Sequence, residues 1–592
     1  MDRKSILALV LIAVVIILLP YYQKLIVGDQ PIKQEQFGKT DSTKFNHPDS
    51  SKIEKEEKTE KKEEILETVK EETKEEDFLN NVLQDSVNRI IEINTKYYSV
   101  VLSNKGGGSF EKYELKNYQK YDSSNVNLID TNLNNGIDIS FQNTAGENID
   151  LSEYLFKSSK ELSRITLNEN EKESIEYELE INGSKIKKTF MFYADKYHFD
   201  LIIEYINPGE LLLNNQYRIG WQNGLPSTES YAEDDNTYNQ TVISMGGEIE
   251  NYDITEEGRK ETTTFSGLAD WVAIRTKYFL TAIAGVKLDN AEGIYFTPEG
   301  RKKDNYIQRL YNVGYYKRYN EFSKDNFRIY MGPLDHKELE QYDNGLDNLV
   351  MSNSGYERFF RFFSMIILYI MIFLNKFIPN YGIVIIVFSI LIKVVLYPLT
   401  KKSYTSMREM QKVQPLMAEI KEKYKGDPQR MNKETMKLYK EHGVNPMGGC
   451  LPMLLQMPLL LGLFIVFRST IQLRGATFIP GWIDDLSRTE ALFSLPFSIP
   501  FYGDEFNLLP ILMGLTMIFQ SKMTMQDPKQ KAMVYLMPIM MLFIFNRFPS
   551  GLNLYYTLFN LWTIIQQKYL HKDKKTEDTG KKIKNKNVKN KR

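Results

Sequence analysis

The sequence predicts a polytopic α-helical membrane protein of six spans carrying a large all-β sandwich outside the membrane. Three observations predict it. The 592 residues divide into a polar half of short, alternating apolar runs and an apolar half that begins at Tyr356. Period-two alternation broken by turn residues is the signature of strands, whereas long uncharged runs are that of spans. Charge sign is also segregated, acidic near the start and basic near the end, although the formal net charge is only −1. Averages of 42% hydrophobic and 26% charged residues look soluble because they mix the two halves.

The same composition excludes several functions. A net charge of −1 gives no overall field directed at DNA. The single cysteine, Cys450, excludes an intramolecular disulfide and any cysteine-cluster metal site. The five histidines (His47, His198, His336, His442 and His571) show no metalloprotease-type spacing, so no metal site is expected. There is no P-loop and no sign of a cofactor or a catalytic nucleophile, and no enzyme activity is expected.

The chain opens with an uncharged run from Ser5 to Leu19, behind Arg3 and Lys4. It is a cleaved signal or a retained anchor; the lack of an A-x-A site and the Tyr21–Tyr22 pair predict an anchor over residues 1–24. Residues 25–79 read as a disordered charged linker, since Lys52 to Asp77 holds 7 lysines against 12 acids and few apolar side chains. Residues 80–347 alternate in runs such as Tyr97 to Leu102, Lys187 to Tyr193, His198 to Tyr205 and Tyr278 to Gly285. Gly106-Gly107-Gly108, Asn182-Gly183 and Asn207-Pro208-Gly209 punctuate them, which predicts the sandwich.

Five later runs have transmembrane character: Tyr381 to Thr400, Leu451 to Phe467, Phe506 to Gln520, Ala532 to Phe545 and Leu552 to Ile565. The run Phe359 to Phe377 is nearly as apolar. Charge decides its place. Lys401 to His442 carries 11 Lys/Arg against 6 acids, and the tail from Lys568 carries 11 against 3, so both belong in the cytoplasm. Arg468 to Glu505 has 3 against 5 and belongs outside. With the N-terminus inside and the β domain outside, Phe359 to Phe377 and Tyr381 to Thr400 cannot both cross. Residues 348–379 are therefore assigned to an interfacial helix on the outer face. The helix bundle is 380–567 and the basic cytoplasmic tail is 568–592. Both termini are cytoplasmic, and residues 25–379 lie outside.

Within the cytoplasmic segment, Met407, Met410, Val413, Leu416, Met417, Ile420 and Tyr424 recur every three or four residues, as in an amphipathic helix. Gly426-Asp427-Pro428 breaks it, and a second helix follows from Gln429 to Glu441. The pair forms a helical hairpin over 401–445, which either simply packs on itself or also meets ribosomal RNA and emerging chains.

Lys393 is the candidate site. It is the one charge between Tyr381 and Thr400, and a lysine at mid-bilayer costs about 3 kcal/mol on insertion scales. The competing reading is snorkelling, since Thr400 is seven residues on, about 10 Å of helix rise. Polar groups in other spans, Gln456, Gln520, Asn553, Thr557 and Asn560, favour a shared hydrated cavity, although each alone is an ordinary interhelical hydrogen bonder. Cys450 reads as a small apolar residue at a span entrance.

From Asn380 to Leu570 the chain resembles the YidC family of membrane protein insertases. The matching stretches are NYG at 380, YPLTKKSYTSM at 397, VQPLMAEIKEKYK at 413, MKLYKEHGVNPMGGCLPMLLQMP at 436, LPILMGLTMIF at 509 and FPSGLNLYYTLFNLWTIIQQ at 548. More loosely, GGG at 106, WVAIRTKYF at 271 and YMGPLDHKEL at 330 resemble the family's periplasmic domain.

The resemblance implies a five-helix insertase core in the inner membrane of a double-membrane bacterium. It further implies a hydrophilic groove open to cytoplasm and lipid. On this sequence its basic residue is Lys393, with Gln520 and Tyr556 near groove-lining positions. The family's usual groove residue is arginine; lysine keeps the charge but loses the planar five-donor fork. The implied function is insertion and folding of inner-membrane proteins, alone or with the Sec translocon. Expected partners are nascent membrane proteins, membrane lipids, the Sec translocon, and the ribosome through 401–445 and 568–592, with no DNA. A secondary transporter or channel using Lys393 as a substrate or proton site would show two related halves. No such repeat is present in the sequence.

Overall fold

The computed structural model describes residues 82–589, except 162, 210, 287–290, 304, 320–323, 353–354, 445–450, 501 and 525–530. The predicted anchor 1–24, the linker 25–79 and Cys450 lie outside the described residues, as do the last three residues of the tail.

Strands form where the period-two pattern is cleanest. Ser184–Tyr193 alternates buried and half-exposed positions along all ten residues, pairing Lys172–Ile181 on one side and His198–Ile206 on the other. That strand is one of a ten-stranded sheet, which continues through Asp325–Pro333, Phe279–Gly285, Ala269–Arg275, Gln240–Met245 and Glu248–Tyr252. A seven-stranded sheet centres on Ala291–Lys303, Tyr306–Arg318 and Gln216–Gln222, and a five-stranded sheet on Ser109–Gln119 and Tyr98–Ser103. The two larger sheets meet through buried polar contacts. Tyr315 donates to the Ile283 carbonyl at 3.1 Å and Tyr217 to the Asp325 carboxylate at 2.7 Å. Lys317 pairs with the same carboxylate at 3.3 Å.

The Gly106-Gly107-Gly108 turn needs its glycines. All three have positive φ, and a β-carbon at Gly108 would come within 2.4 Å of the Phe190 ring. The inward-pointing Lys188 on the neighbouring strand donates to the Gly106 carbonyl at 2.6 Å.

His198 is buried in this domain, its Nδ1 2.9 Å from the Tyr342 hydroxyl. Burial, reinforced by the Arg328 guanidinium, pushes its imidazole down to about 4. A lowered folded-state value means that stability is complete above the usual histidine range, near pH 6.5, and is lost as pH falls towards 4. His198→Gln is therefore expected to lose less thermal stability than the parent between pH 6.5 and pH 4.5, read by thermal unfolding of the full chain in detergent.

Seven longer helices follow: α1 (Gly355–Asn375), α2 (Tyr381–Lys423), α3 (Pro428–Glu441), α4 (Leu451–Ser469), α5 (Leu508–Thr524), α6 (Lys531–Phe545) and α7 (Ser550–Lys589). By length and composition, α2 alone among the described residues is long and apolar enough to cross a membrane. The apolar stretches Gln456–Ser469, Leu508–Met523 and Val534–Phe545 are shorter.

One of these helices joins two stretches that the sequence reads separately. The run to Thr400 and the amphipathic arm from Met407 are one continuous helix, α2, with Pro398 and Pro415 inside it. Backbone bonding bridges the basic stretch where the side-chain pattern changes from uniformly apolar to amphipathic. The hairpin then closes at Asp427, whose side chain accepts from the Arg430 N–H, and packs Val413, Leu438 and Val444 together. Helix α1 is not polar on its outer face. It buries Ser364, Ile367, Leu368 and Met371, while Phe359, Phe362 and Phe373 are uncovered. Its buried face packs on α4, where Gly462 lets Ile367 and Phe363 approach. The apolar composition all round reflects protein on one side and an apolar exposed flank on the other. Arg361, a charge inside this run, turns back to the Val350 and Asp347 carbonyls at 3.1 and 3.0 Å.

The β domain is seated on the bundle by the segment that follows α4. Arg474 pairs with Glu229 at 2.7 Å and donates to the Gln119 carbonyl at 2.7 Å. Arg468 and Lys277 grip Asp234 at 2.7 and 2.8 Å. Burial alone would raise the Asp234 carboxyl, but Lys277 and Arg468 outweigh it and hold it down to about 2. At the start of α2, Asn380 caps the helix and donates to the Phe478 carbonyl at 3.2 Å. A β-carbon at Gly382 would lie 2.0 Å from the Phe478 ring and 2.6 Å from its Cβ, too near the backbone to swing aside. Gly382→Leu is therefore expected to cost about 1–3 kcal/mol through overpacking, seen as a lower unfolding midpoint in detergent.

Candidate functional site

Helices α2 and α7 run side by side in the same direction, so residues at helical spacing meet in a ladder. Trp562 donates to the Ser389 hydroxyl at 3.0 Å. One turn on, Lys393 Nζ donates to the Thr563 hydroxyl at 2.5 Å and lies 3.3 Å from the centroid of the Phe559 ring. Gln566 then donates to the Thr400 hydroxyl at 3.0 Å. Tyr404, one turn further, reaches the side chains of Gln567 and Thr563. On α7 the positions 559, 562, 563 and 566 share one face; on α2 the positions 389, 393 and 400 are four and seven apart.

The lysine is thus held against α7 by Thr563 and Phe559. A cation over an aromatic face, with a hydroxyl acceptor beside it, is stabilised where water is scarce. No carboxylate is paired with Lys393 among the described residues. The arrangement offers a fixed positive charge beside apolar flanks. Ile390, Leu391, Val394 and Val395 of α2 and Leu561 and Ile565 of α7 are exposed around it. Such a site attracts an anionic or strongly polar group by charge and hydrogen bonding. Among the described residues, no cluster of three or more His, Cys, Asp or Glu side chains is placed to hold a metal ion.

The structure does not gather all the sequence candidates at this point. Asn553 donates to the Phe545 and Phe548 carbonyls at 3.1 and 3.3 Å and so secures the turn between α6 and α7. It is ten residues before Thr563 on α7, about 15 Å of helix rise. Thr557 donates to the Asn553 carbonyl of its own helix at 2.8 Å. Tyr556 packs edge-on against Phe545, with its buried hydroxyl unpartnered. Gln520 is half-buried on α5, one turn on from Thr516, to which Asn560 donates at 3.4 Å. Gln456 is half-buried on α4. Lys393 therefore stands with Thr563 and Phe559, and the others lie on α4, α5 and the first turns of α7.

The sequence reading missed Thr563, Phe559, Ser389, Trp562 and Gln566. A helical-face count on α7 would have found the four on that helix, since Thr563 and Gln566 repeat the spacing of Phe559 and Trp562; Ser389 lies one turn before Lys393 on α2.

Comparison with known proteins bears on both halves of the chain. The family model described as "60Kd inner membrane protein" matches residues 373–578, and that of the "YidC periplasmic domain" matches 90–352. A membrane protein insertase YidC of Prosthecochloris aestuarii is 35% identical over 507 residues, spanning 84% of this chain and 85% of the relative. The insertase YidC of Chlorobium limicola is 34% identical over 499 residues, spanning 83% and 84%. A crystal structure titled as an active YidC insertase with its first transmembrane domain resolved aligns over 83% of this chain and 94% of that one, with 18% identity and a TM-score of 0.34. With both halves matched in order, and identity at this level over five-sixths of the length, the chain belongs to the YidC family of membrane protein insertases.

Proposed function

We propose that this insertase uses the charge of Lys393 to draw the polar end of a nascent membrane protein between α2 and α7. The client's apolar segment then passes along uncovered helix flanks into lipid. The observation that carries this is the placement of Lys393: a cation inside an otherwise apolar stretch, held by Thr563 and Phe559 and unpaired with any acid among the described residues. The exposed apolar side chains of α6, Tyr535, Leu536, Ile539 and Phe543, and Met457 on α4, supply the route for the apolar segment. Attraction and partial hydration together lower the cost of carrying polar groups into the bilayer, so the cycle needs no nucleotide hydrolysis or other enzymatic step.

The topology we infer has six spans: the N-terminal anchor, α2, α4, α5, α6 and the first part of α7. Helix α1 lies on the outer face, and both termini are cytoplasmic. Supporting it, 11 Lys/Arg fall between Lys401 and His442 and 11 in the tail from Lys568. The parallel course of α2 and α7 fits two helices that both run from outside to inside. The hairpin of α2 and α3, with its basic outer surface, and the tail would then face the ribosome; the translocon would be a lateral partner. Nothing in the comparisons supports the transporter or channel reading.

Photocrosslinking from position 393 to a stalled nascent membrane protein tests the site. Crosslinks to the client's polar tail are expected, and crosslinks only to α7 would sink the proposal. Labelling the hairpin and the tail from each side of the membrane tests the topology, with protection from outside expected at both.

A further inference from the structure

The segment between α4 and α5 is not a plain loop. Ala491–Ile499 and Gly503–Asn507 form a two-stranded antiparallel sheet that pairs with no other strand described. Its composition is unusual for an exposed element: from Ala491 to Gly503 the thirteen residues ALFSLPFSIPFYG contain no charge. Its exposure is unusual too. Leu492, Phe493 and Phe497 are 47%, 53% and 63% exposed. The register is broken between Ala491 and Phe493 and again between Ser494 and Ile499, and consecutive residues, Ala491 to Ser494 and Pro496 to Ser498, are exposed, so the strand is apolar and uncovered on both faces.

The position of this hairpin is well defined. Its second strand runs directly into α5 at Leu508, and the buried Glu490 accepts from the Leu509 N–H at 2.5 Å. Asn507 donates to the Asn546 carbonyl at 2.7 Å, and Asn546 donates to the Tyr502 and Glu505 carbonyls at 3.0 and 2.9 Å. The Tyr502 ring stands edge-on to Phe543 near the end of α6. The second strand is thus tied across the outer ends of α5 and α6, and Ala491–Ile499 forms the free outer edge. Phe543 continues the exposed apolar flank of α6 through Ile539 and Leu536, and Leu515 and Phe519 do so on α5.

We propose that Ala491–Ile499 is a lipid-contact strand, seated at the boundary between headgroups and acyl chains of the outer leaflet. A protein partner or a neighbouring sheet would cover one face of the strand; apolar side chains on both faces match a solvent that surrounds the hairpin. The depth follows from the backbone. A free strand edge carries unpaired N–H and C=O groups, which are excluded from the hydrocarbon centre but find water at the interface. The strand anchors the outer end of α5 and α6 in the leaflet beside the insertion site. The inference rests on α5 and α6 being spans.

The test uses the full chain with Cys450→Ser and single cysteines at Phe493, Phe497, Leu515 and Lys260, each carrying a nitroxide. The protein is reconstituted into vesicles of phosphatidylethanolamine and phosphatidylglycerol. Collision with oxygen, which partitions into lipid, is compared with collision with a water-soluble nickel chelate. Positions 493 and 497 are expected to favour oxygen, as Leu515 does, and Lys260 to favour nickel. Nickel-favouring signals at 493 and 497 with an oxygen-favouring Leu515 overturn the lipid strand and leave the spans standing. Shielding of 493 and 497 from both reagents means that protein, such as a second copy paired edge to edge, covers the strand, which also overturns it. A nickel-favouring Leu515 overturns the spans and the inference together.

Discussion

Lys393→Glu is expected to lower insertion of a client with an acidic tail at least about tenfold, while Lys393→Arg retains it, because 1.4 kcal/mol is already a factor of ten. The physical basis is the size of the interaction. At an effective dielectric of about 20, unit charges about 5 Å apart interact by roughly 3 kcal/mol, and charge reversal turns that attraction into repulsion of similar size. Arginine keeps the charge and can still lie over the Phe559 ring, since guanidinium groups stack on aromatic faces. A client with a neutral, short tail is expected to be less sensitive to the glutamate. Insertion into proteoliposomes, scored by protease protection of the translocated tail, measures all three versions. Equal insertion by parent, glutamate and arginine forms would remove Lys393 from the mechanism.

Arg474→Ala is expected to destabilise the seating of the β domain on the bundle by about 3–5 kcal/mol, the cost of breaking a buried ion pair from one side. Arg474 and Glu229 have only 7% and 12% of their side chains exposed, so the orphaned carboxylate cannot simply turn to water. The same arginine lies over Tyr278 and Phe279 and donates to the Gln119 carbonyl, so alanine also removes packing and a hydrogen bond. Faster amide hydrogen exchange is expected in segments 228–238 and 468–475, together with a lower unfolding midpoint. The charge-swapped pair Arg474→Glu with Glu229→Arg should recover part of the loss. If exchange in both segments is unchanged in Arg474→Ala, the contact contributes nothing to holding the two parts together.

Where physics is local, the reading from residues alone anticipated the architecture. Ser184–Tyr193 alternates in sequence and alternates in burial, because strand side chains point to opposite faces whatever the rest of the fold does. The apolar runs became helices for an equally local reason, and Gly426-Asp427-Pro428 stops α2 and starts α3 as turn chemistry requires. Counting Arg468 and Arg474 only as loop charges hid their role, since their acids lie more than two hundred residues earlier in the β domain. The hairpin at 491–507 was hidden for a related reason: its apolar residues have no alternation, because neither face is buried against protein.

The candidate site shows the same division. Lys393 is legible as the one charge in an apolar stretch, and the cost of placing it in a bilayer is enough to single it out. That it meets Thr563 and Phe559, 170 and 166 positions away, and not Asn553 or Thr557, depends on which faces of α2 and α7 pack together. Composition and period along the chain suffice for the class of protein, the strand-rich and helical halves, and for singling out Lys393 as a candidate. They do not suffice for the partners of Lys393, the fusion of the α2 apolar stretch with the hairpin, or the seating of the β domain. Each of these depends on how segments join or pack, and the contacts between distant segments gain their energy only once packing has closed the chain between them.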